Sequence, residues 1–420
     1  MATDVSTRIS SPPDAAWMRE RLDELCAFER GSASDGELRA AEWLAGGLRD
    51  EGVRNVRAEE EPEANGSFWW SIGLLAGAGT LAGLAARRGG RLSRLFAAAT
   101  GAAAAALIAD EMPPGRRRFR RMLPTSSCHH VLGEVGPSDA ERTIVLMAHH
   151  DAAHTAFFFN PAITETVGEN APWIFERNDT SPPLMWPVVG GPALVAAGAA
   201  LGSRGLTGLG TLVSAGAAAF MAHIGAGRVV PGANDNGTGC VAQLAIARAL
   251  SERPPENTRV LFLSTSEEAL CEGMGLFMER HAAEFPKDRT FFLCLDTIGS
   301  PNLLVLRGEG MLKLREYPAE SLELLDSSAE ELGIELFPNL RLRNATDGVF
   351  PLAGGYQCVS IASCNQWKNP SNYHWKTDLP ENVDYGTVGD AVRLSEAVIR
   401  KLDESWFSAG ARQGPSASIR

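Results

Sequence analysis

The chain has 420 residues, and 39 Lys and Arg against 51 Asp and Glu leave a formal charge of −12. That balance argues against a nucleic-acid partner, which needs a cationic face to displace phosphate counterions. Hydrophobic residues at 45% and charged residues at 21% exclude a disordered chain and allow a core large enough for one big α/β domain with insertions.

Residues 15–29 read as an amphipathic helix. Ser34-Asp35-Gly36-Glu37 has capping-box spacing and opens a second helix that ends at Gly52. The segment 53–61 predicts a strand. Residues 67–86 are then uncharged, followed by Arg87, Arg88, Arg91 and Arg94, a second apolar run at 95–109, and a basic cluster over 116–121. A further apolar pair, 184–203 and 205–227, is divided by Arg204. Across 67–109 and 184–227 the only charged residues are five Arg, so the remainder carries −12 − 5 = −17.

About twenty apolar residues cross a hydrocarbon core of ~30 Å, a length that 95–109 alone falls short of. All four runs are rich in Gly and Ala, which suits close helix packing in a bilayer. They predict two membrane hairpins, the alternative being a helical cap on a soluble cytoplasmic protein. Arginines in the hairpin loop and in 116–121 nearly balance on the positive-inside rule. His223, in the last run, is expected at the interface rather than in a proton relay.

Between and after these runs the pattern is α/β alternation. Residues 127–135 and 142–151 read as adjacent strands joined by a turn. A helix begins near Gly237, a strand covers 257–265, and a helix lies around 274–284. Further strands are expected at 290–296, 302–306 and 357–362, with helices at 318–332 and 386–404. The expected fold is α/β, a mixed central β-sheet flanked by helices and carrying two inserted hydrophobic α-helical hairpins. The division is 1–66 (first helices and strand), 67–111 (hairpin 1), 112–183 (middle part), 184–228 (hairpin 2), 229–405 (C-terminal part) and 406–420 (disordered tail). Seven scattered cysteines without a C-x-x-C fit small core residues in a reducing compartment. The first residues lack the layout of a signal peptide, so the body is expected in the cytoplasm.

Five short pieces follow strands: AHHD (148–151), PGANDNGTG (231–239), STSEE (264–268), CLDTIG (294–299) and NYHWKTD (372–378). Open α/β sheets gather ligand sites beyond the carboxyl ends of their strands. Two His and several carboxylates there suit one or two zinc-like ions, with a group left for acid/base work. Glu267 and Glu268 are adjacent like charges that need a cation to hold them. Asp151, two residues after His149, supplies the outer acceptor that a ligand imidazole needs.

The order and spacing of all five pieces resemble the M28 zinc metallopeptidases of the co-catalytic aminopeptidase type, over about 35–61, 128–151 and 229–400. That resemblance implies the zinc-dependent exopeptidase fold and two zinc ions. It implies His149 and Asp296 on one metal, Glu268 and His374 on the other, and Asp235 bridging them before a cis peptide bond. It also implies Asp151 as the orienting carboxylate and Glu267 as the general base that activates water against a peptide carbonyl. The sequence departs from the family at Thr346-Asp347-Gly348-Val349-Phe350, where members often have Ser-Asp-His before Phe. No Tyr occurs in 340–348 to polarise the carbonyl, and Arg341 or Arg343 are the substitutes on offer. His129, His130 and His154 have no family role and read as structural.

The expected activity is that of a membrane-associated dinuclear zinc aminopeptidase acting on peptide or amide substrates. The alternatives are a glutaminyl-cyclase-like acyltransferase with one zinc, and an inactive membrane receptor or scaffold with a peptidase-like domain. Both inserts leave the sheet at its metal end, which points to membrane-proximal peptides or lipid-linked amides as substrates. The sequence leaves open whether the chain forms a homo-oligomer.

Overall fold

The computed structural model describes residues 9–66 and 68–407. Seven strands form the main sheet: β1 (Arg54–Glu61), β2 (Cys128–Val135), β3 (Arg142–His149), β4 (Thr258–Thr265), β5 (Thr290–Leu295), β6 (Asn302–Val305) and β10 (Gln357–Cys364), in the order β1-β2-β4-β3-β5-β10-β6. β4, β3, β5 and β10 are mutually parallel, while β2 and β6 run antiparallel to their neighbours. The parallel strands are almost continuously apolar and buried, as strands covered on both faces must be. A small second sheet joins β7 (Gly308–Glu309), β8 (Arg315–Glu316) and β9 (Arg341–Leu342).

One expectation needs correction. β2 and β3 run in opposite directions but are not adjacent, because β4 pairs with both and lies between them. The tail assignment also changes at its start: Trp406 and Phe407 pack against the core, and Phe291 and Phe407 lie 5.6 Å apart. Residues 408–420 of the expected tail lie outside the described residues.

Helix α9 (Thr238–Glu252) is nearly all buried, which fits a sequence without a charged face over most of its length. It packs on β3 with α1 (Ala15–Leu25), α2 (Asp35–Asp50) and α13 (Tyr385–Glu404) beside it. The Ser34 side chain caps α2 by accepting the Glu37 N–H, as the capping-box spacing predicts. α10 (Glu272–His281) packs on β2, and both α11 (Ala319–Leu332) and α12 (Val349–Gly354) pack on β10.

The two inserts are helical hairpins. α3 (Phe68–Arg88) and α4 (Arg91–Glu111) form the first. The second, α7 (Trp186–Leu201) and α8 (Arg204–Gly225), follows two short helices, α5 (Pro161–Asn170) and α6 (Trp173–Glu176). Together the hairpins make a four-helix bundle. Glycine sets its packing distance: a Cβ at Gly210 would sit 2.5 Å from the Val195 nitrogen, and one at Gly101 would sit 2.8 Å from the Pro192 oxygen. α3, α4 and α8 are long and apolar enough to cross a membrane, while α7, at 16 residues, is shorter. Leu74, Leu81, Leu84, Leu95, Phe96 and Leu212 are exposed on the bundle's outer surface.

The far tip of the bundle carries Arg87, Arg88, Arg91, Arg94 and Arg204, and Arg94 Nε donates to the Ala199 carbonyl across the two hairpins at 3.1 Å. The basic cluster at the body end is different. Arg117 and Arg120 are buried, Arg117 pairing with Glu279 at 2.9 Å and Arg120 with Glu111 at 3.0 Å, so these two clamp the end of α4 to the body.

Candidate metal centre

The carboxyl ends of β3, β4, β5 and β10 lie along one edge of the sheet, and the loops that follow β3, β4 and β5 hold most of the polar cluster. His149 closes β3, Glu267 and Glu268 follow β4, and Asp296 follows β5. Asp235 arrives on the turn before α9 and His374 on the loop after β10. All are buried or nearly so.

Asp235 stands at the centre. His149 Nε2 lies 3.3 Å from its Oδ1, and His374 Nε2 lies 3.2 Å from its Oδ2. His374 Nε2 is also 3.3 Å from Glu268 Oε2, and His149 Nε2 is 3.7 Å from Glu267 Oε2. Candidate ligand atoms of His149, Glu267 and Asp296 fall within 4.8 Å of one another, as do those of His149, Asp235 and Glu268. The peptide bond between Asp235 and Asn236 is cis.

The electrostatics match a cation site. Among the described residues, the salt bridges of these carboxylates are made with His149 and His374 alone, without Lys or Arg. Burial, and next the Asp296 carboxylate, push Glu267 well above the ordinary range. Burial raises Glu268 to about 7 and Asp296 to about 6, against the pull of His374 and His149 respectively. Burial opposes protonation of both imidazoles, yet Asp151 and Asp235 hold His149 well above its usual range. Glu268 and Asp235 likewise hold His374 up to about 10. Buried Asp235 Oδ2 and Glu267 Oε2 have no hydrogen-bond donor. Two imidazoles and four carboxylates, crowded together with no Lys or Arg paired to them among the described residues, fit the donor preferences of zinc.

Asp151 organises the centre from behind. Its Oδ1 meets His149 Nδ1 at 3.1 Å and accepts the Glu267 N–H at 2.8 Å. Its Oδ2 accepts from the Glu268 N–H at 2.9 Å, Ser266 Oγ at 2.8 Å and Ser32 Oγ at 2.5 Å. Burial works against its charge, but His149 and these donors bring it down to about 2.

Several contributing residues carry no role in the sequence reading. Asp378 accepts the N–H groups of Asn234 and Asp235 at 2.7 and 3.1 Å and so fixes the backbone that carries Asp235. It stands four residues after His374 inside the fifth piece, and that spacing was its only signal. Arg30, fully buried, donates to the carbonyls of His150, Pro231 and Gly232 and joins two ligand loops. Asp347 is buried near the cluster and accepts from Thr265 Oγ1. Beside it Glu309 accepts the Thr346 N–H at 2.7 Å and the Tyr317 hydroxyl, and burial pushes Glu309 up to about 8.

The other singled-out residues settle as structural or at the rim. His129 pairs with Glu37 at 3.1 Å, His130 is buried against Phe277, and His154 Nδ1 meets the Gly227 carbonyl at 2.8 Å. His223 Nε2 accepts the Phe157 N–H at 3.2 Å. The seven cysteines are all free thiols, six of them buried. Arg341 is engaged with Glu316 at 2.8 Å, while Arg343 lines the cavity over the cluster. Tyr373 lines the same cavity; its ring stacks on His374 with centroids 3.8 Å apart, and its hydroxyl accepts from Asn344 Nδ2 at 3.0 Å.

Comparison with known proteins agrees with this geometry. Residues 212–399 match the model of peptidase family M28. A probable leucine aminopeptidase 2 of Aspergillus oryzae is 34% identical over 97 residues, a match spanning 22% of this chain and 19% of that protein. A leucine aminopeptidase precursor from Bacteroides thetaiotaomicron superposes with a TM-score of 0.54 at 16% identity, covering 93% of this chain and 99% of that one. A Bacteroides thetaiotaomicron glutaminyl cyclase bound to N-acetylhistamine gives a TM-score of 0.55 at 15% identity, with the same coverage. Residues 212–399, which contain four of the five polar loops, thus match peptidase family M28, and the chain has the fold of the zinc-dependent exopeptidases.

Proposed function

We propose that this protein is a dinuclear zinc aminopeptidase anchored in a membrane by its inserted bundle. The observation that carries the reading is Asp235, whose two oxygens face two different imidazoles at 3.3 and 3.2 Å, the arrangement of a bridging carboxylate. His149, Asp235 and Asp296 would hold one ion, and Asp235, Glu268 and His374 the other. When bound, such ions acidify water and polarise a carbonyl.

The protein's own groups account for the rest. Glu267, left outside both ligand sets, takes the proton of the attacking water and passes it to the leaving amine. Its raised affinity for a proton suits that double duty. Asp151 fixes the His149 tautomer and, through two backbone N–H groups, the direction of the Glu pair. The Tyr373 hydroxyl, on the cavity wall beside His374, is a neutral donor for the developing oxyanion, the role for which 340–348 offers no Tyr.

A cyclase-like reading draws on the structural neighbours, but a one-metal site leaves His149 without purpose, and here that residue is oriented by Asp151. An inactive scaffold is disfavoured by the same completeness. Zinc analysis of the purified chain, combined with hydrolysis of aminoacyl and N-blocked peptides with and without chelator, tests the reading. Two zinc ions per chain and cleavage of free-amine peptides alone are expected. One ion with cyclisation of glutaminyl peptides would overturn it.

A further inference from the structure

The cavity over the polar cluster, about 260 Å³, has a wall built by the inserted bundle. Phe68 and Trp69 at the root of α3 line it, as do Phe220, Met221 and Ile224 at the root of α8. From that wall a run of aromatic rings leads to a ligand residue. Phe220 lies 5.3 Å from Phe158, Phe158 lies 6.0 Å from Phe159, and Phe159 lies 4.7 Å from His374. His223 on α8 fastens the start of this run by accepting the Phe157 N–H.

Of this run Phe158 is 45% exposed, while Phe159 and Phe220 are half-buried; beside it Phe157 is 67% exposed, and Trp70 and Trp186, at the roots of α3 and α7, are each about half exposed. Aromatic side chains collected where apolar helices join a polar body suit the headgroup zone of a bilayer. The charged groups on the cavity wall outside the polar cluster are Glu165, Arg343 and Lys368. Arg343 lies over the Trp186 ring at 5.3 Å, and Lys368 Nζ donates to the Asn178 carbonyl at 2.9 Å. Glu165 makes no ion pair among the described residues, which leaves a carboxylate for an ammonium group.

Resting on the reading of a membrane-anchored aminopeptidase, we propose that the cavity is entered from the bilayer and that its substrate is the amino-terminal end of an apolar, membrane-held peptide. The peptide runs along Phe220, Phe158 and Phe159, and its ammonium meets Glu165. Short water-soluble peptides, which gain nothing from the aromatic run, are the poorer substrates.

The test uses the full-length, zinc-loaded chain in phosphatidylcholine nanodiscs. One probe is a leucyl peptide extended by about twenty apolar residues and inserted in the same disc. The others are the same amino-terminal sequence without the extension, and an N-acyl leucine amide. Binding of each is also followed in the Glu267→Gln chain by fluorescence transfer from Trp69 to a labelled probe. The inserted peptide should be cleaved at least about tenfold faster than its short form, and Phe158→Ser should reduce that ratio about tenfold, the worth of one buried ring. Equal cleavage of both peptides, with a ratio unmoved by Phe158→Ser, overturns the proposal while leaving the aminopeptidase standing. Preference for the N-acyl amide overturns the substrate class. Failure to bind or cleave any of the probes removes the aminopeptidase reading, and the proposal with it.

Discussion

Asp151 Oδ1 accepts the backbone N–H of Glu267 at 2.8 Å and also meets His149 Nδ1, so one carboxylate holds both the proposed metal ligand and the proposed general base. Asp151→Asn keeps the shape but offers one acceptor oxygen where five donors converge. Zinc affinity should fall about 10- to 100-fold, as for other outer ligand partners. Turnover at saturating zinc should stay low, because the Glu pair is misdirected as well. Competition with a chelator and saturating-zinc kinetics separate the two effects.

Glu267→Gln removes the proton acceptor without removing a member of either proposed ligand set. The variant should keep two zinc ions per chain and lose about 10²- to 10⁴-fold in turnover. Unchanged hydrolysis would disprove the assignment of the base.

Metal loading should depend steeply on pH. In the metal-free site His374 is held up to about 10, so at neutral pH it must shed a proton to bind an ion. Affinity therefore rises with pH through the neutral range, and binding releases protons. Calorimetry of zinc binding in buffers of different ionisation enthalpy should show this release, and His374→Ala should diminish it while lowering the stoichiometry to one.

Glu309 makes a prediction about stability that involves no ligand residue. Its folded-state pKa is about 8 against 4.5 for the free group. The folded protein retains a proton that the unfolded chain has lost, so stability falls as pH rises from 4.5 towards about 8. In Glu309→Gln the amide oxygen can accept the Thr346 N–H, while its NH2 donates to the Tyr317 hydroxyl, which turns to Ser360 Oγ at 2.6 Å. The variant should show a flatter dependence of melting temperature on pH, with its largest relative gain at alkaline pH.

Removing the close approach between hairpins should loosen the bundle. Gly101→Leu places a side chain where a Cβ alone would be 2.8 Å from the Pro192 oxygen. Overpacking of this kind costs about 1–3 kcal/mol or more, and thermal unfolding in detergent should register the loss.

Most strands, and His149, Glu267, Glu268 and Asp296 at or just past their ends, carry local signals, whereas Asp235 and His374 lie away from a strand end and were picked out through the family resemblance. An apolar run followed by His, Asp or Glu marks both a strand and its carboxyl end, as at Met147-Ala148-His149 and Ser264–Glu268. Strand order was not local. A short turn between β2 and β3 reads as a hairpin, and only the tertiary fold inserts β4 between them. Arg117 and Arg120 look like surface cations in a basic cluster, yet both are buried, and their pairs with Glu279 and the buried Glu111 make them fasteners of the fold. Arg30 and Asp378 were invisible for a related reason: they bond backbone groups, which sequence patterns do not distinguish.

The arginine tip gives the bundle a second meaning. Five guanidinium groups lie at one end and exposed tryptophan and phenylalanine rings at the other, while α3 and α4 span 21 residues each, about 31 Å at the α-helical rise. In the membrane-anchored reading proposed above, such a bundle would work as a ruler between the two phosphate layers of a bilayer. It would hold the scissile position at one height above the lipid, so the depth at which a peptide lies would decide whether it is cut.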